Sequence, residues 1–467
     1  MARLFGTDGV RGIANTELTC ELAFKLGQAA VVFQGRTILV GRDTRRSGDM
    51  LEAALASGIM SRGGTALLAG IVPTPAVALL VRELHCDGGV VISASHNPPE
   101  YNGIKLFDGQ GFKLPDEVED AIEAFVAGAD APACADAPAR ADAPADTDAP
   151  ARVDAPAELP SGDAVGVAIP VEDAAERYVA HAVATVADEG IDFGGLKVAL
   201  DVGHGASCMT SPEALRRLGA EVTVINEDFD GTDINVGCGS THLEPLAQLV
   251  AQTGADVGIA HDGDADRVMM LTADGQVVDG DVVAAVCAVD LSRRGKLPGN
   301  TVVSTVMCNL GLVHAMRDAG IRLEQTKVGD RYVLEAMRAG GYTLGGEQSG
   351  HMIFLEYNST GDGLVTALQF LAACRRAGMS ASEAAATMRR FPQTLVNVRV
   401  ADKEAACASE AVQQAVREAE EELGDAGRVL LRPSGTEPLV RVMVEAADAE
   451  TAERVANRIA ATIDPLA

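Results

Sequence analysis

Asp262, Asp264 and Asp266 alternate in the run DGDAD. In an extended loop all three carboxylates would point to one side, with Gly263 and Ala265 leaving space between them. Three hard oxygens with open positions suit a magnesium ion that shares a phosphate ligand. A calcium loop does not fit. Its sixth position is Arg267 where glycine is needed, and its twelfth is Ala273 where glutamate is needed. The competing reading is a solvated acidic loop. Against it, crowded carboxylates repel one another unless a cation intervenes, and this loop follows an apolar run.

Further stretches carry reactive side chains. GGVVISASHNP (88–98) ends an apolar, β-branched run in Ser93, Ser95 and His96. The pair Ser95–His96 reads either as a nucleophile beside its base or as a polar turn stopped by Pro98. RPSGTEP (432–438) offers Arg432, Ser434, Gly435 and Thr436, with Arg441 on the following strand, either as a phosphate clamp or as a plain turn. In GGEQSGH (345–351), an extended backbone would place Glu347, Ser349 and His351 on one side, as a reader of sugar hydroxyls or a polar hairpin. GTDGVRG (6–12) presents Arg11 among glycines, and GRDTRRSG (41–48) adds Arg42, Arg45 and Arg46, cationic charge that an anionic substrate needs.

These loops need elements to hold them. RTILVGRD (36–43), LKVALDVGHGAS (196–207), ADVGIAHDGDADRV (255–268), NTVVSTVMCN (300–309) and GYTLGGEQSGHMIFLEY (341–357) read as strands running into polar loops, with amphipathic helices between. Three rounds of α/β folding follow, and the last eighty or so residues read as a smaller α+β domain. In open α/β sheets ligands bind at the carboxyl ends of the strands, where these loops fall. The expected units are 1–128, 163–279, 280–388 and 389–467. Between the first two, residues 129–162 repeat Asp-Ala-Pro-Ala with a six-residue period at Asp130, Asp136, Asp142, Asp148 and Asp154. Proline in every repeat forbids helix and sheet ladder, and alanine offers little apolar surface to offset ordering entropy, so a mobile, non-catalytic spacer is expected.

Composition narrows the partners. Of 467 residues, 67 are Asp or Glu and 38 Lys or Arg, a net charge of −29 that repels nucleic acid and anionic lipid. No run of 18 apolar residues occurs and the opening MARLFGTDGV has no signal-peptide core, so no membrane and a cytoplasmic location are expected. Nine scattered cysteines read as reduced thiols. Scarce lysine and abundant Asp, Ala, Gly and Val resemble proteins of a salt-rich cytoplasm, a halophilic composition. RGKLPG (294–299) is no P-loop, and DVGHGAS carries Cys208 where a dinucleotide fingerprint needs its third glycine. A serine, an aspartate triad and a phosphate clamp without a nucleotide site point to phosphoryl transfer from the enzyme itself.

SASHNPPEYNGIKL (93–106), DGDADRV (262–268), GGEQSGH and RPSGTEPLVRV (432–442) resemble, in order, the four signature loops of the α-D-phosphohexomutase superfamily. The match runs along almost the whole chain, with the Asp-Ala-Pro-Ala segment as its departure. LFGTDGVRGIAN (4–15), KVGDRYV (327–333) and GEQSGH look most like the branch that works on phosphoglucosamine; phosphomannomutases and phosphoglucomutases more often carry another residue where Gln348 stands. The resemblance implies an α/β fold of four domains around a central cleft, three related α/β units and a C-terminal α+β domain able to rotate. It puts the phosphorylated serine on Ser95 and one Mg²⁺ on Asp262, Asp264, Asp266 and the phosphoserine. It puts catalytic groups on Lys105, Arg267, His96 and Arg11. It puts sugar and phosphate ligands on Glu347, Ser349, His351, Arg432, Ser434, Gly435, Thr436 and Arg441. The implied reaction interconverts glucosamine 6-phosphate and glucosamine 1-phosphate, with glucosamine 1,6-bisphosphate as intermediate or activator and Lys105 or His351 carrying the sugar proton. The alternatives are a phosphomannomutase/phosphoglucomutase or a sugar phosphatase. The chain is expected to be a monomer or homodimer.

Overall fold

The computed structural model describes residues 4–6, 8–128, 159–434 and 437–464. The Asp-Ala-Pro-Ala repeats, Gly435 and Thr436 lie outside the described residues.

Three sheets repeat one plan. In the first, strands Thr65–Ile71, Thr37–Arg42 and Gly88–Ile92 run parallel, and Tyr101–Asp108 returns antiparallel beside Gly88–Ile92. In the second, Glu221–Ile225, Lys197–Asp201 and Val257–His261 are parallel and Val268–Thr272 returns antiparallel. In the third, Arg322–Thr326, Thr301–Thr305 and Leu344–Gly346 are parallel and Met352–Phe354 returns antiparallel. The three loops that reverse the chain are 93–100, 262–267 and 347–351, which hold Ser95, the aspartate triad and Glu347 to His351. Three of the motifs are thus the same loop of one repeated unit. The apolar, fully buried character of the preceding strands follows from their central place in the sheets, covered on both faces.

The fourth unit is a three-stranded antiparallel sheet in the order Gln393–Arg399, Leu439–Glu445, Arg428–Pro433, covered by helices Glu410–Leu423 and Ala449–Ala460. Three α/β units and a C-terminal α+β unit are therefore present, as the sequence leads one to expect. One boundary detail differs. Residues 163–170 are expected with the second unit, yet strand Ala168–Pro170 pairs with Thr65–Ile71 in the first sheet.

One apolar core runs across the first three units, with helices Thr74–Glu83, Ala174–Ala187, Gly280–Arg293 and Gly363–Ala377 among the sheets; the other face of the first sheet packs a separate core, and the C-terminal unit has its own. Helix Gly363–Ala377 is buried along most of its length, with Leu364, Val365, Leu368, Phe370 and Leu371 shielded from water. Each such side chain contributes about 1.5–3 kcal/mol. Asp362 caps its start by accepting from the Val365 N–H at 2.9 Å, and Gly378 ends it at φ 64°. Its first residue must be glycine, since a Cβ on Gly363 would sit 2.3 Å from the carbonyl oxygen of Arg267. The helix start thereby abuts the aspartate loop. Among the described residues no helix is long and apolar enough to cross a membrane.

Candidate active site

The loop after Gly88–Ile92 separates its two serines. The Ser93 hydroxyl donates to Asp43 Oδ2 at 2.6 Å and accepts from the Ser95 N–H at 2.9 Å. It is wholly occupied with backbone and carboxylate. Ser95 takes φ 52°, a left-handed conformation that a non-glycine residue adopts only when its surroundings hold it there. That turn aims Ser95 Oγ across to the second unit, where it donates to Asp262 Oδ2 at 2.6 Å. His96 Nδ1 stands 3.3 Å from Ser95 Oγ and 3.1 Å from an Arg267 guanidinium nitrogen. Arginine is always a donor, so the Nδ1 lone pair faces Arg267 and Asp262 becomes the acceptor nearest the serine proton. Burial, then Arg267 and Arg11, lowers the His96 pKa, which keeps that lone pair free.

The triad converges, but not by extended alternation. Residues 262–266 form a turn in which the Ala265 N–H bonds the Asp262 carbonyl at 3.0 Å and Ala265 takes φ 53°. The turn brings one oxygen from each of Asp262, Asp264 and Asp266 within 4.8 Å of the others, all three residues buried. Burial, then Asp266 and Asp264, pushes Asp262 well above the usual carboxylate range. Asp264 Oδ1 and Asp266 Oδ1 are buried without a hydrogen-bond partner among the described residues. Buried, crowded hard oxygens with free lone pairs fit a divalent cation.

Cations from the first unit reach the triad. Lys105 Nζ lies 2.9 Å from Asp264, 3.0 Å from Asp8 and 3.7 Å from Asp266. Against the cost of burial, these carboxylates raise its pKa and hold it charged. Asp8 also pairs with Arg11 and, at 2.7 Å, with Lys113, which reaches Asp330 at 2.6 Å. His351 closes the circuit, 3.6 Å from both Asp330 and Asp266. Against the cost of burial, the two carboxylates raise its pKa. A chain of alternating charges thus ties the three α/β units together around the triad.

Asp8, Lys113 and Asp330 are the members that sequence reasoning missed. Asp8 and Asp330 stood inside quoted motifs, and Lys113 is one of only seven lysines in the chain. The signal was present, but no spacing rule links residues so far apart.

Glu347, Ser349 and His351 do not share one side of a strand. Gly346 pairs with Met352, so residues 347–351 are a tight hairpin turn, with Gly350 at φ 88°. A Cβ on Gly350 would lie 2.1 Å from the Val268 carbonyl oxygen, which seats this loop against the aspartate loop. Within the turn His351 points inward to Asp266, Ser349 is exposed, and Glu347 accepts from the Gly329 N–H at 3.0 Å. The Gln348 side chain bonds Asp279 instead and lines a cavity of about 400 Å³ with Asn309, Arg390, Phe391, Pro392 and Gln393, at the junction with the C-terminal unit.

In the C-terminal unit Arg432 and Arg441 face each other directly across adjacent strands. Like charges so placed destabilise a sheet, and burial followed by Arg441 lowers the Arg432 pKa. An anion bound between them would relieve that repulsion. Ser434 is buried beside them, its carbonyl accepting from Lys403 Nζ at 2.6 Å. The arginines of GRDTRRSG are not available to a substrate as expected from sequence. Arg42 pairs with Asp49 and Glu52, and Arg45 is buried against Asp43 and backbone carbonyls. Their charge is already compensated within the protein; Arg46 alone is exposed.

The chain matches phosphoglucomutase/phosphomannomutase alpha/beta/alpha domain I over residues 2–132, domain II over 176–275, domain III over 279–391 and the C-terminal domain over 395–462. It is 52% identical to the phosphoglucosamine mutase of Moorella thermoacetica, covering 97% of this chain and 98% of that one. It is 49% identical to that of Rhodococcus jostii, covering 99% of each. Among solved structures, a phosphoglucomutase/phosphomannomutase family protein from Burkholderia thailandensis superposes with a TM-score of 0.78 at 24% identity, covering 98% of this chain and 96% of that one. The N-acetylphosphoglucosamine mutase of Aspergillus fumigatus, solved with GlcNAc-6P and magnesium, gives 0.66 at 18% identity, covering 98% and 95%. At these identities the structural likeness speaks to fold.

Proposed function

The chain belongs to the phosphoglucomutase/phosphomannomutase family, and on that premise we propose that it interconverts glucosamine 6-phosphate and glucosamine 1-phosphate through a phosphorylated Ser95. The observation that carries the mechanism is Ser95 Oγ set 2.6 Å from Asp262 within a buried aspartate triad, beside Arg267.

Phosphoserine 95 passes its phosphoryl group to the free C1 hydroxyl: the bond from phosphorus to Ser95 Oγ breaks, the bond to the sugar oxygen forms, and the hydroxyl proton leaves. The 1,6-bisphosphate turns over, and the phosphate at C6 returns to Ser95 as the C6 oxygen regains a proton. Asp262, Asp264, Asp266 and the phosphoserine would hold Mg²⁺, which supplies charge stabilisation to the transferred group. Arg267, Arg11 and Lys105 ring the same place and oppose the charge that spreads over the phosphoryl oxygens. Lys105, spanned by three carboxylates, works there as a fixed cation; of the two groups considered for the sugar proton, this leaves His351. Glu347 and Ser349 are assigned to the sugar hydroxyls. Arg432, Ser434, Gly435, Thr436 and Arg441 are assigned to the distal phosphate, which they meet in either orientation of the bisphosphate. Arg432→Ala should raise KM about tenfold or more with a smaller effect on kcat, in steady-state assays at saturating bisphosphate activator. An unchanged KM would remove the clamp from this strand pair.

Selectivity is tested on the purified enzyme with glucosamine, glucose and mannose phosphates. The relatives at about half identity favour the amino sugar. The Gln348 side chain bonds Asp279, and Glu347 is the residue assigned to attract a C2 ammonium. One such contact gives about 1–3 kcal/mol, so glucosamine 6-phosphate should exceed glucose phosphate in kcat/KM by roughly tenfold to a hundredfold. Equal or better efficiency on mannose 1-phosphate would move the enzyme to the phosphomannomutase reading, and release of free phosphate without isomerisation would make it a phosphatase.

A further inference from the structure

Arg45 is fully buried, at 1% exposure, yet none of its hydrogen bonds serves a surface or a ligand. Its guanidinium has five N–H groups, and all five are spent. Nε donates to Asp43 Oδ2 at 2.9 Å. One terminal nitrogen donates to the carbonyls of Pro98 and, at 3.0 Å, Tyr101. The other donates to the carbonyls of Ser95 at 3.0 Å and Asn97 at 2.7 Å. Three backbone carbonyls of one loop and that of Tyr101, the first residue of the next strand, therefore converge on a single planar cation. The sheet explains the meeting. Arg42 and Ile92 are register partners at the ends of adjacent parallel strands, so the loops that follow them leave the sheet side by side.

The other half of the grip comes from Asp43. It accepts from Ser93, and Ser93 accepts from the Ser95 N–H. Asn235 of the second unit adds a donor to the Ser95 carbonyl at 2.8 Å. Ser95 is thus held by its N–H on one side and its C=O on the other, which is what keeps it at φ 52° with Oγ toward Asp262.

We propose that Arg45 is a positioning residue for phosphoryl transfer, which with Asp43 and Ser93 fixes the strained backbone of Ser95 so that its oxygen meets the aspartate triad in line with the sugar hydroxyl. The proposal rests on Ser95 being the phosphoryl carrier. Arg45 touches no reacting atom. Lysine keeps the charge but has no planar fork and cannot serve four carbonyls and a carboxylate at once. With the clamp loosened, phosphoserine should meet the sugar hydroxyl less often in reactive geometry and water more often. In that leak the bond from phosphorus to Ser95 Oγ breaks, a water oxygen takes the phosphorus, inorganic phosphate departs and the serine regains its proton.

The test compares Arg45→Lys, Ser93→Ala and Ser95→Ala in the full-length enzyme loaded with glucose 1,6-bisphosphate. Folding is checked by thermal melting. Arg45→Lys is expected to lower kcat roughly tenfold to a hundredfold, since small misplacements of reacting groups cost that much. KM for glucosamine 6-phosphate should stay within about twofold, and more phosphate should be lost to water per turnover. Ser93→Ala removes the N–H anchor and its link to Asp43 but leaves the carbonyl contacts of Arg45 in place, so it should show the same pattern more weakly, a signature that general loosening of the fold would not produce. Should Arg45→Lys fail to fold, Ser93→Ala decides alone. A folded Arg45→Lys, or in its place Ser93→Ala, with wild-type kcat and no added phosphate loss would overturn the proposal. Full activity in Ser95→Ala would overturn instead the reading on which it rests.

Discussion

Replacing Ser95 by alanine is expected to lower turnover by at least about a thousandfold, the usual scale for deleting a covalent nucleophile. The side chain is small and buried, so alanine fits its space and the protein should still fold. What disappears is the oxygen that donates to Asp262 at 2.6 Å, and with it the only hydroxyl of the loop facing the triad. Mass spectrometry of the resting enzyme should place one phosphate on Ser95. Ser93→Ala should retain that phosphate and lose far less activity, because the Ser93 hydroxyl faces Asp43 and the backbone. Phosphate mapped to Ser93, with full activity in Ser95→Ala, would reverse the roles of the two serines.

The second large effect is metal removal. EDTA should abolish activity and added Mg²⁺ restore it, since three buried carboxylates otherwise face one another, offset in part by Lys105, Arg267 and His351. Binding is readable without catalysis: Mg²⁺ should raise the melting temperature of the wild-type protein, because a ligand that binds only the folded state stabilises it. In Asp264→Asn an amide replaces a carboxylate whose Oδ2 accepts from Thr74 at 2.6 Å and Lys105 at 2.9 Å. A carbonyl oxygen remains, but a full charge is lost, so both the Mg²⁺-induced shift and the rate should fall steeply. A wild-type rate in EDTA would falsify the metal assignment and leave the triad as a structural acidic cluster bridged by Lys105.

Much of the site was legible because its chemistry is local in the chain. DGDAD, SASHNP, GGEQSGH and RPSGTEP each carry their reactive groups within a few residues, and strand-ending loops are where such groups belong. The reasoning behind two of them was nevertheless wrong in detail. An extended backbone would alternate the side chains of Asp262 to Asp266 and of Glu347 to His351, whereas both segments are tight turns with a residue at positive φ. In the first the carboxylates still converge; in the second the three side chains part, and His351 joins Asp266 while Ser349 faces solvent. Period-two reasoning holds only where the backbone is paired as a strand, and these loops are the reversals between strands.

By itself the sequence determined the residue types of the candidate site, the strand-and-loop alternation that sets them in order, and an acidic net charge that repels nucleic acid. Apolar runs of strand length must be buried, and polar loops between them must lie at sheet ends, so these features follow from local composition. Only the tertiary structure decided which charges face the aspartate triad and which are spent elsewhere. Arg45 and Asp8 read in sequence as members of loops rich in glycine and arginine. Folding places Arg45 beneath four carbonyls of the Ser95 loop and the start of the next strand, and Asp8 between Lys105 and Lys113. The physical reason is that a buried charge takes its partners from whatever element packs against it, here groups up to 217 positions apart as in Lys113 and Asp330, and no local pattern encodes that distance.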